Sequence, residues 1–277
     1  MAAECGKPAK NDIPIGIPMG KPCDGKADSS SGRWDSDIEL GAVGARVEDA
    51  QVGDQLPPDI RAGFVRKVYG ILTAQLAFTV VFVGACMLVS PVRSFILGMF
   101  RNIPGMQLFL MIPTVGVICA LMKYKDQHPL NYKLLAAFTV LISLPVGYVC
   151  AVYYSAGLGW LVLEALLLTM ACFSALTAYA VYSKQDFSWM GGMLSMGLMG
   201  MIMWGFLGSL FGFGGGLLYS ACGAILFCGY IVFDTHRVMQ VYGPDDAIVA
   251  AIELYLDIIN LFMYLLELLS AMSGSDN

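Results

Sequence analysis

Two aspartates lie in stretches of the sequence that are otherwise strongly apolar, and they are the residues best placed to do chemistry. Asp234 ends an apolar run that begins at Ile225, and Asp257 lies within the next apolar run. A turn from Gly243 to Asp246 joins the runs, with a Gly-Pro pair that ends one helix and starts another. Asp234 lies nine residues before Gly243 and Asp257 eleven after Asp246. These separations correspond to about 14 and 17 Å of helix, so the carboxylates are predicted at similar depth on neighbouring helices.

Acidic side chains at that depth in a membrane are costly, and they mark an ion pathway, a proton site or an ion site. Two carboxylates within about 4 to 6 Å cannot both ionise cheaply, so we expect Asp234 and Asp257 to titrate as a coupled pair. Such a pair either shares a proton or binds a divalent cation, and an all-oxygen site favours calcium. The alternative is a pair that only ties two helices together through hydrogen bonds. The cost of burying two acids favours the functional interpretation.

The last apolar run carries a polar stripe on one helical face. At 100° per residue its polar side chains fall within about 80° of one another. They are Glu253, Asp257, Asn260, Tyr264 and Glu267. The stripe has to face other helices or water, so this helix is predicted to be central and surrounded by the others. Asn260, one turn from Asp257, could supply a further oxygen, orient the acid, or simply pack.

Two charged residues outside the hairpin are further candidates for the site. Glu164 lies some six residues into the fourth apolar run, where it could continue an ion path from the outer side or be hydrated at the membrane interface. Lys123 ends the second apolar run and could pair with the two aspartates. Snorkelling of its ammonium group to the interface is the more ordinary fate of such a lysine.

The composition excludes an ordinary soluble domain. The chain is 57% hydrophobic and 13% charged, with a mean hydropathy of +0.69, values that indicate a polytopic membrane protein. The net charge is −5 and no basic patch suggests nucleic acid as a partner. Six of the eight cysteines fall in apolar runs, which indicates packing rather than disulfides. Two histidines are too few for a His-based zinc enzyme.

We predict an all-α polytopic membrane protein with seven transmembrane helices and a central C-terminal helix. Seven apolar runs are long enough to span a bilayer. They cover residues 68–90, 106–122, 132–154, 158–182, 190–211, 217–239 and 247–271. Residues 64–277 would form this domain, and residues 1–63, rich in Gly, Pro, Ser, Asp and Lys, are predicted to be a disordered cytosolic tail.

The distribution of Lys and Arg near the ends of these runs predicts the orientation. With the N-terminus in the cytosol, eight basic residues collect on the inner side and two on the outer side. This bias predicts an external C-terminus and seven spans. The polar residues of the last run leave open six spans plus a re-entrant segment.

Six short segments in order resemble the transmembrane Bax-inhibitor-motif family, particularly its Lifeguard branch. They are Phe-Val-Arg-Lys-Val-Tyr (64–69), His-Pro-Leu-Asn (128–131), Leu-Glu-Ala (163–165), Asp-Phe-Ser (186–188), Phe-Asp-Thr (233–235) and Leu-Tyr-Leu-Asp-Ile-Ile-Asn-Leu-Phe (254–262). The resemblance implies an all-helical protein of the endoplasmic reticulum, Golgi or related membranes that leaks calcium in a pH-dependent way. It aligns Asp234 and Asp257 with the family's proton-sensing aspartates.

The same resemblance implies protection from programmed cell death, with anti-apoptotic Bcl proteins or other membrane proteins as candidate partners. A bacterial relative has an arginine that closes the cytosolic side where this sequence places Lys123. Lysine cannot form the bidentate fork that an arginine forms, which weakens the expected latch. Glu253 lies outside the shared motif, and its role rests on the polar stripe alone.

The sequence therefore favours a calcium leak channel gated by the two aspartates, with no cofactor other than calcium as the permeant or bound ion. Intramembrane aspartyl proteases are a second class, but their Gly-x-Gly-Asp motif is absent around Asp257, so an enzyme is not expected. A non-conducting scaffold that regulates cell-death proteins is a third class. A proton-coupled calcium exchanger is a fourth.

Overall fold

Eight α-helices and a short 3₁₀ helix make up the described part of the chain. The computed structural model describes residues 57–103, 105–124, 127, 129–183, 185–212 and 216–274. Most of the predicted tail lies outside these residues. The helices are α1 (Pro58–Leu88), α2 (Ser90–Asn102), α3 (Met106–Lys123), α4 (Leu130–Ser155), α5 (Gly159–Tyr182), α6 (Met190–Phe211), α7 (Leu217–Gln240), the 3₁₀ helix Pro244–Asp246, and α8 (Ala247–Gly274). No strand occurs among them, which confirms the all-α prediction.

Six helices are long and apolar enough to cross a membrane. They correspond to α1, α4, α5, α6, α7 and the segment Pro244–Gly274 that contains α8. The predicted second span is the shorter helix α3, whose apolar part is Phe109–Lys123. Its 18 residues reach about 27 Å, close to the thickness of a hydrocarbon core of about 30 Å. The protein is therefore an integral, multi-pass membrane protein, with α3 the shortest of the seven predicted spans.

Helix α1 begins ten residues before the predicted span. Pro58 at the first helical turn and Asp59 beside it favour a helix start there, because proline fixes φ and an acid complements the helix dipole. The Arg61 guanidinium donates to the backbone oxygens of Val238 and Tyr242, at 3.3 and 3.2 Å. These carbonyls lie at the end of α7, where backbone acceptors lack helical partners. Residues 58–63 are thus helical, although we predicted them as the end of a disordered tail.

The sequence prediction missed helix α2, which connects α1 to α3. It is 13 residues long, too short to be recognised as a spanning run. Its Ile96 and Phe100 are buried, and Phe100 stacks on Tyr148 of α4 with ring centres 4.3 Å apart. Arg93 donates to the oxygen of Met87 at 2.7 Å. Helix α2 therefore packs its apolar face on α4.

Helix α8 is the most enclosed element, as the polar stripe predicted. Inside the structure 67% of its apolar window is buried, against 44% for α4 and 11% for α6. It packs against α1, α5 and α7, and the pair α7 and α8 forms the most extensive interface between helices. The helix is unbroken over 28 residues, about 42 Å. An unbroken helix of this length does not fit the alternative of a re-entrant last segment.

Hydrogen bonds fix the rotation of α8 on the side away from its polar stripe. The Tyr255 hydroxyl lies 2.9 Å from Thr79 Oγ1 of α1, which lies 3.0 Å from Ser143 Oγ of α4. All three side chains are buried. Buried polar groups are costly unless they are paired, so this triad specifies one orientation of α8. That orientation turns Asp257 toward α7.

Candidate functional site

The hairpin of α7 and α8 brings the two predicted aspartates together. Asp234 and Asp257 are each 5% exposed, and both line the same cleft between the helices. Oδ2 of Asp257 is buried and has no hydrogen-bond partner within the described chain. The arrangement expected from matched depth is therefore present. It leaves one carboxylate oxygen free to accept a proton or contact a cation.

Arg237 supplies the positive charge at this site, and the sequence analysis did not assign it there. Its Nη1 lies 3.3 Å from Asp234 Oδ1 and 2.9 Å from Glu253 Oε2. The guanidinium also lies over the ring of Tyr242, 4.5 Å from its centre. Arg237 is three residues after Asp234, a spacing that places both side chains on one helical face. That spacing was the signal in the sequence that could have identified it.

Glu253 is part of the same network, as its place in the stripe indicated. Its Oε2 accepts hydrogen bonds from Arg237 and from the hydroxyl of Tyr242, which follows α7. Burial, and after it the neighbouring Glu253 carboxylate, raises the pKa of Tyr242. The phenol therefore stays protonated and donates. Three acids and one arginine thus converge between α7 and α8.

Lys123 does not join this cluster. It is exposed at the end of α3, and its Nζ lies 5.6 Å from the centre of the Tyr124 ring. It forms no ion pair with either aspartate in the described part of the chain. The physical reason is that α3 packs chiefly on α4 and not on the hairpin. Arg237, within the hairpin itself, is the basic residue that contacts the acids.

The structure distinguishes between the alternatives that the sequence left open for Asn260 and Glu164. The Asn260 amide donates to the oxygen of Leu256 at 2.8 Å, so this nitrogen bonds its own helix and does not orient Asp257. Its side chain is half-buried and lines a cleft beside the aspartates. Glu164 is exposed on α5 and is not among the residues that line this cleft. The structure therefore separates Glu164 from the site.

Two clefts follow the polar stripe of α8. The hairpin cleft, about 550 Å³, lies between α6, α7 and α8 and contains Asp234, Arg237, Glu253 and Asp257. The distal cleft, about 490 Å³, lies nearer the C-terminal end of α8 and contains Glu267. All five residues of the predicted stripe line one cleft or both. From Glu253 to Glu267 the stripe extends about 21 Å along α8.

The oxygen-rich donors of the hairpin cleft suit a hard cation such as calcium, which takes six to eight oxygen ligands. Within the described residues, however, no group of three or more His, Cys, Asp or Glu side chains is arranged to hold a metal ion. Arg237 already contacts two of the three acids. A cation that binds Asp234 and Asp257 would therefore compete with this internal cation. The geometry fits a transient ion better than a resident one.

Comparison with known proteins identifies the family. The family described as Inhibitor of apoptosis-promoting Bax1 matches residues 61–274. The BI1-like protein of Arabidopsis thaliana is 38% identical over 248 residues, which cover 87% of this chain and 92% of that protein. Protein lifeguard 4 of Mus musculus is 39% identical over 216 residues, 77% of this chain and 87% of that protein. The Golgi anti-apoptotic protein of Vaccinia virus (strain Lister) is 40% identical over 211 residues, 76% of this chain and 86% of that protein.

The family match reaches into all eight helices and includes both aspartates of the hairpin. They confirm the resemblance that the six short segments indicated. The chain belongs to the Bax-inhibitor family, described as inhibitors of apoptosis-promoting Bax1, and has relatives in its Lifeguard branch.

Proposed function

We propose that this protein is a pH-sensitive calcium leak channel of intracellular membranes, gated by Asp234 and Asp257. The observation that carries the proposal is the pair of buried carboxyl groups, facing each other in a cleft between membrane helices. Buried acids inside a membrane protein mark ion or proton pathways. The polar stripe that continues from them along α8 supports a path for the ion.

A proton shared between Asp234 and Asp257 is proposed to hold the closed form. Arg237 compensates one negative charge by its contacts with Asp234 and Glu253. A shared proton would remove the repulsion between the two facing carboxylates. When that proton leaves at higher pH, the pair gains a negative charge that repels across the hairpin and attracts calcium. The flux is therefore expected to rise with pH.

Calcium flux in liposomes that contain only the purified protein tests this proposal. Asp234→Asn and Asp257→Asn remove the charge change, so each variant should conduct without the normal dependence on pH. Glu164→Gln is the matched control, because Glu164 is an exposed acid outside the cleft. The proposal is wrong if both aspartate variants keep the wild-type pH profile.

We further propose that the protein restrains cell death from the Golgi or the endoplasmic reticulum. The support is its family and its likeness to a viral protein named a Golgi anti-apoptotic protein. A scaffold that binds Bcl proteins or other membrane proteins would give the same phenotype without conducting ions. The partner-free liposome assay separates the two, because a pure scaffold carries no calcium. In cells, Asp257→Asn should change protection from a death stimulus only if pH-gated conduction underlies that protection.

A further inference from the structure

The hairpin cleft and the distal cleft meet at one side chain pair of α8. Asn260 and Tyr264 are the two residues that line both clefts. The hydroxyl of Tyr264 lies 3.4 Å from the hydroxyl of Tyr219, which lies in the first turn of α7 and lines the distal cleft. Their ring centres are 5.7 Å apart in an edge-to-face arrangement. Two aromatic rings from the two arms of the hairpin thus lie at the boundary between the clefts.

Close packing holds the Tyr264 ring at this boundary. A Cβ added to Gly223 of α7 would lie 2.5 Å from Cδ1 and Cε1 of Tyr264, so only glycine lets the ring approach this part of the helix. One turn further along α7, the ring of Phe227 stacks on Tyr264 with centres 5.7 Å apart and an angle of 23°. The ring is therefore seated on the backbone of α7. It cannot move without giving up these contacts.

Tyr219 is positioned in a similar way by α6. A Cβ added to Gly205 would lie 3.0 Å from the Tyr219 hydroxyl. The ring of Trp204 lies 5.9 Å from that of Tyr219. The contact between Tyr219 and Tyr264 therefore involves three helices. A displacement of α7 against α8 or α6 would change this contact directly. Aromatic pairs of this kind contribute beyond the area they bury, which favours one arrangement of the rings.

We propose that the contact between Tyr264 and Tyr219 is a constriction that separates the two clefts and limits which cations pass between them. The inference rests on the proposed function, since it names residues that would control permeation. Glu267 gives the distal cleft a negative charge and Asp257 gives one to the hairpin cleft. A hydrated cation that moves from either acid toward the other cleft contacts the ring of Tyr264 on the way. The hydroxyls of the two tyrosines and the Asn260 carbonyl are the oxygens available to replace its lost water.

Flux through the full-length protein in liposomes, measured at one fixed pH, tests this role. Tyr264→Ala removes the ring and should raise calcium flux by about tenfold, the change expected when an aromatic contact no longer opposes passage. It should also admit a bulky organic cation such as N-methyl-D-glucamine, which the wild type excludes. Tyr264→Phe keeps the ring and should keep the exclusion. Tyr182→Ala is the matched control, because Tyr182 is exposed at the end of α5 and lines neither cleft.

A second measurement does not depend on calcium conduction. Leu256 lines the hairpin cleft only. In a full-length variant whose native cysteines are replaced by serine, Leu256→Cys should react with a charged, membrane-impermeant thiol reagent only from the face at which the α7–α8 turn lies. With Tyr264→Ala added, it should react from both faces.

The two measurements separate the possible failures. Suppose that no variant carries calcium, but Tyr264→Ala lets the cysteine at position 256 react with the reagent from both faces of the membrane. The proposed channel function then fails and the constriction is supported. If the wild type conducts and Tyr264→Ala changes neither the flux, the exclusion of the bulky cation nor the thiol accessibility, the constriction is overturned.

Discussion

Replacing Arg237 by glutamine should destabilise the protein and alter the site, because it leaves Asp234 and Glu253 without their cation. Removing one partner of a buried ion pair costs about 3–5 kcal/mol. The side chains of Arg237 and Glu253 are 29% and 30% exposed, so solvent reduces the expected loss to about 1–3 kcal/mol. Thermal unfolding in detergent measures it. The loss should be largest at neutral and alkaline pH, where the acids carry charge.

Two further variants make this prediction specific. Arg66→Gln is the matched control, because Arg66 is exposed on α1, and surface substitutions usually change stability by less than about 0.5 kcal/mol. Adding Glu253→Gln to Arg237→Gln should recover part of the lost stability, because the double variant removes the Glu253 carboxylate that has lost its cation. Equal unfolding temperatures for the Arg237 and Arg66 variants would refute the assignment of Arg237 as the internal cation.

Two more predictions concern regions outside the cleft. Tyr255→Phe removes the hydroxyl bonded to Thr79 and leaves the buried Thr79 hydroxyl without one of its partners. The free energy of unfolding should fall by about 1–3 kcal/mol. Denaturation of the variant at a fixed pH measures this change. Asp186 lies in the loop before α6, where the hydroxyl and the N–H of Ser188 donate to its Oδ1 at 2.6 and 2.9 Å and lower its pKa. Its stabilising effect is therefore present above its ordinary pKa and lost as the pH falls through the lowered value. Asp186→Asn should lower the free energy of unfolding at neutral and alkaline pH and leave it unchanged at acid pH below both pKa values, which thermal unfolding across a pH series measures.

Helical periodicity and depth were enough to predict the arrangement of the hairpin. Counting residues from the turn predicts that Asp234 and Asp257 lie at similar depth on neighbouring helices. The polar stripe predicts that α8 is central. Both arguments depend only on the fixed rise and rotation of a helix and on the cost of polar groups in lipid. They do not depend on how distant helices pack.

Features that depend on contacts between helices could not be predicted from the sequence. The position of Lys123 along the chain allows either pairing with the aspartates or snorkelling. Because α3 packs on α4, the ammonium forms no ion pair with them in the described part of the chain. The sequence shows Arg237 only as a basic residue near the end of an apolar run, because its contact with Glu253 of α8 depends on the rotation of both helices. Helix α2 was missed because its burial comes from Tyr148 of α4 and not from its own short apolar pattern.

The constriction at Tyr264 illustrates the same limit. The sequence predicts that this residue belongs to the polar stripe. Its contact with Tyr219 and its close packing against Gly223 arise from the pairing of α7 with α8. A glycine within an apolar helix has several uses, and only the approach of another side chain shows which one applies.

The ratio of calcium flux at alkaline pH to that at acidic pH, in liposomes containing Asp257→Asn, tests the central claim most directly. Asp257 faces Asp234 and carries the free carboxylate oxygen of the pair. If this pair is the proton sensor, the ratio should fall from its wild-type value to about one, because the remaining carboxylate has no partner with which to share a proton. A variant that conducts calcium with the wild-type ratio would contradict the account.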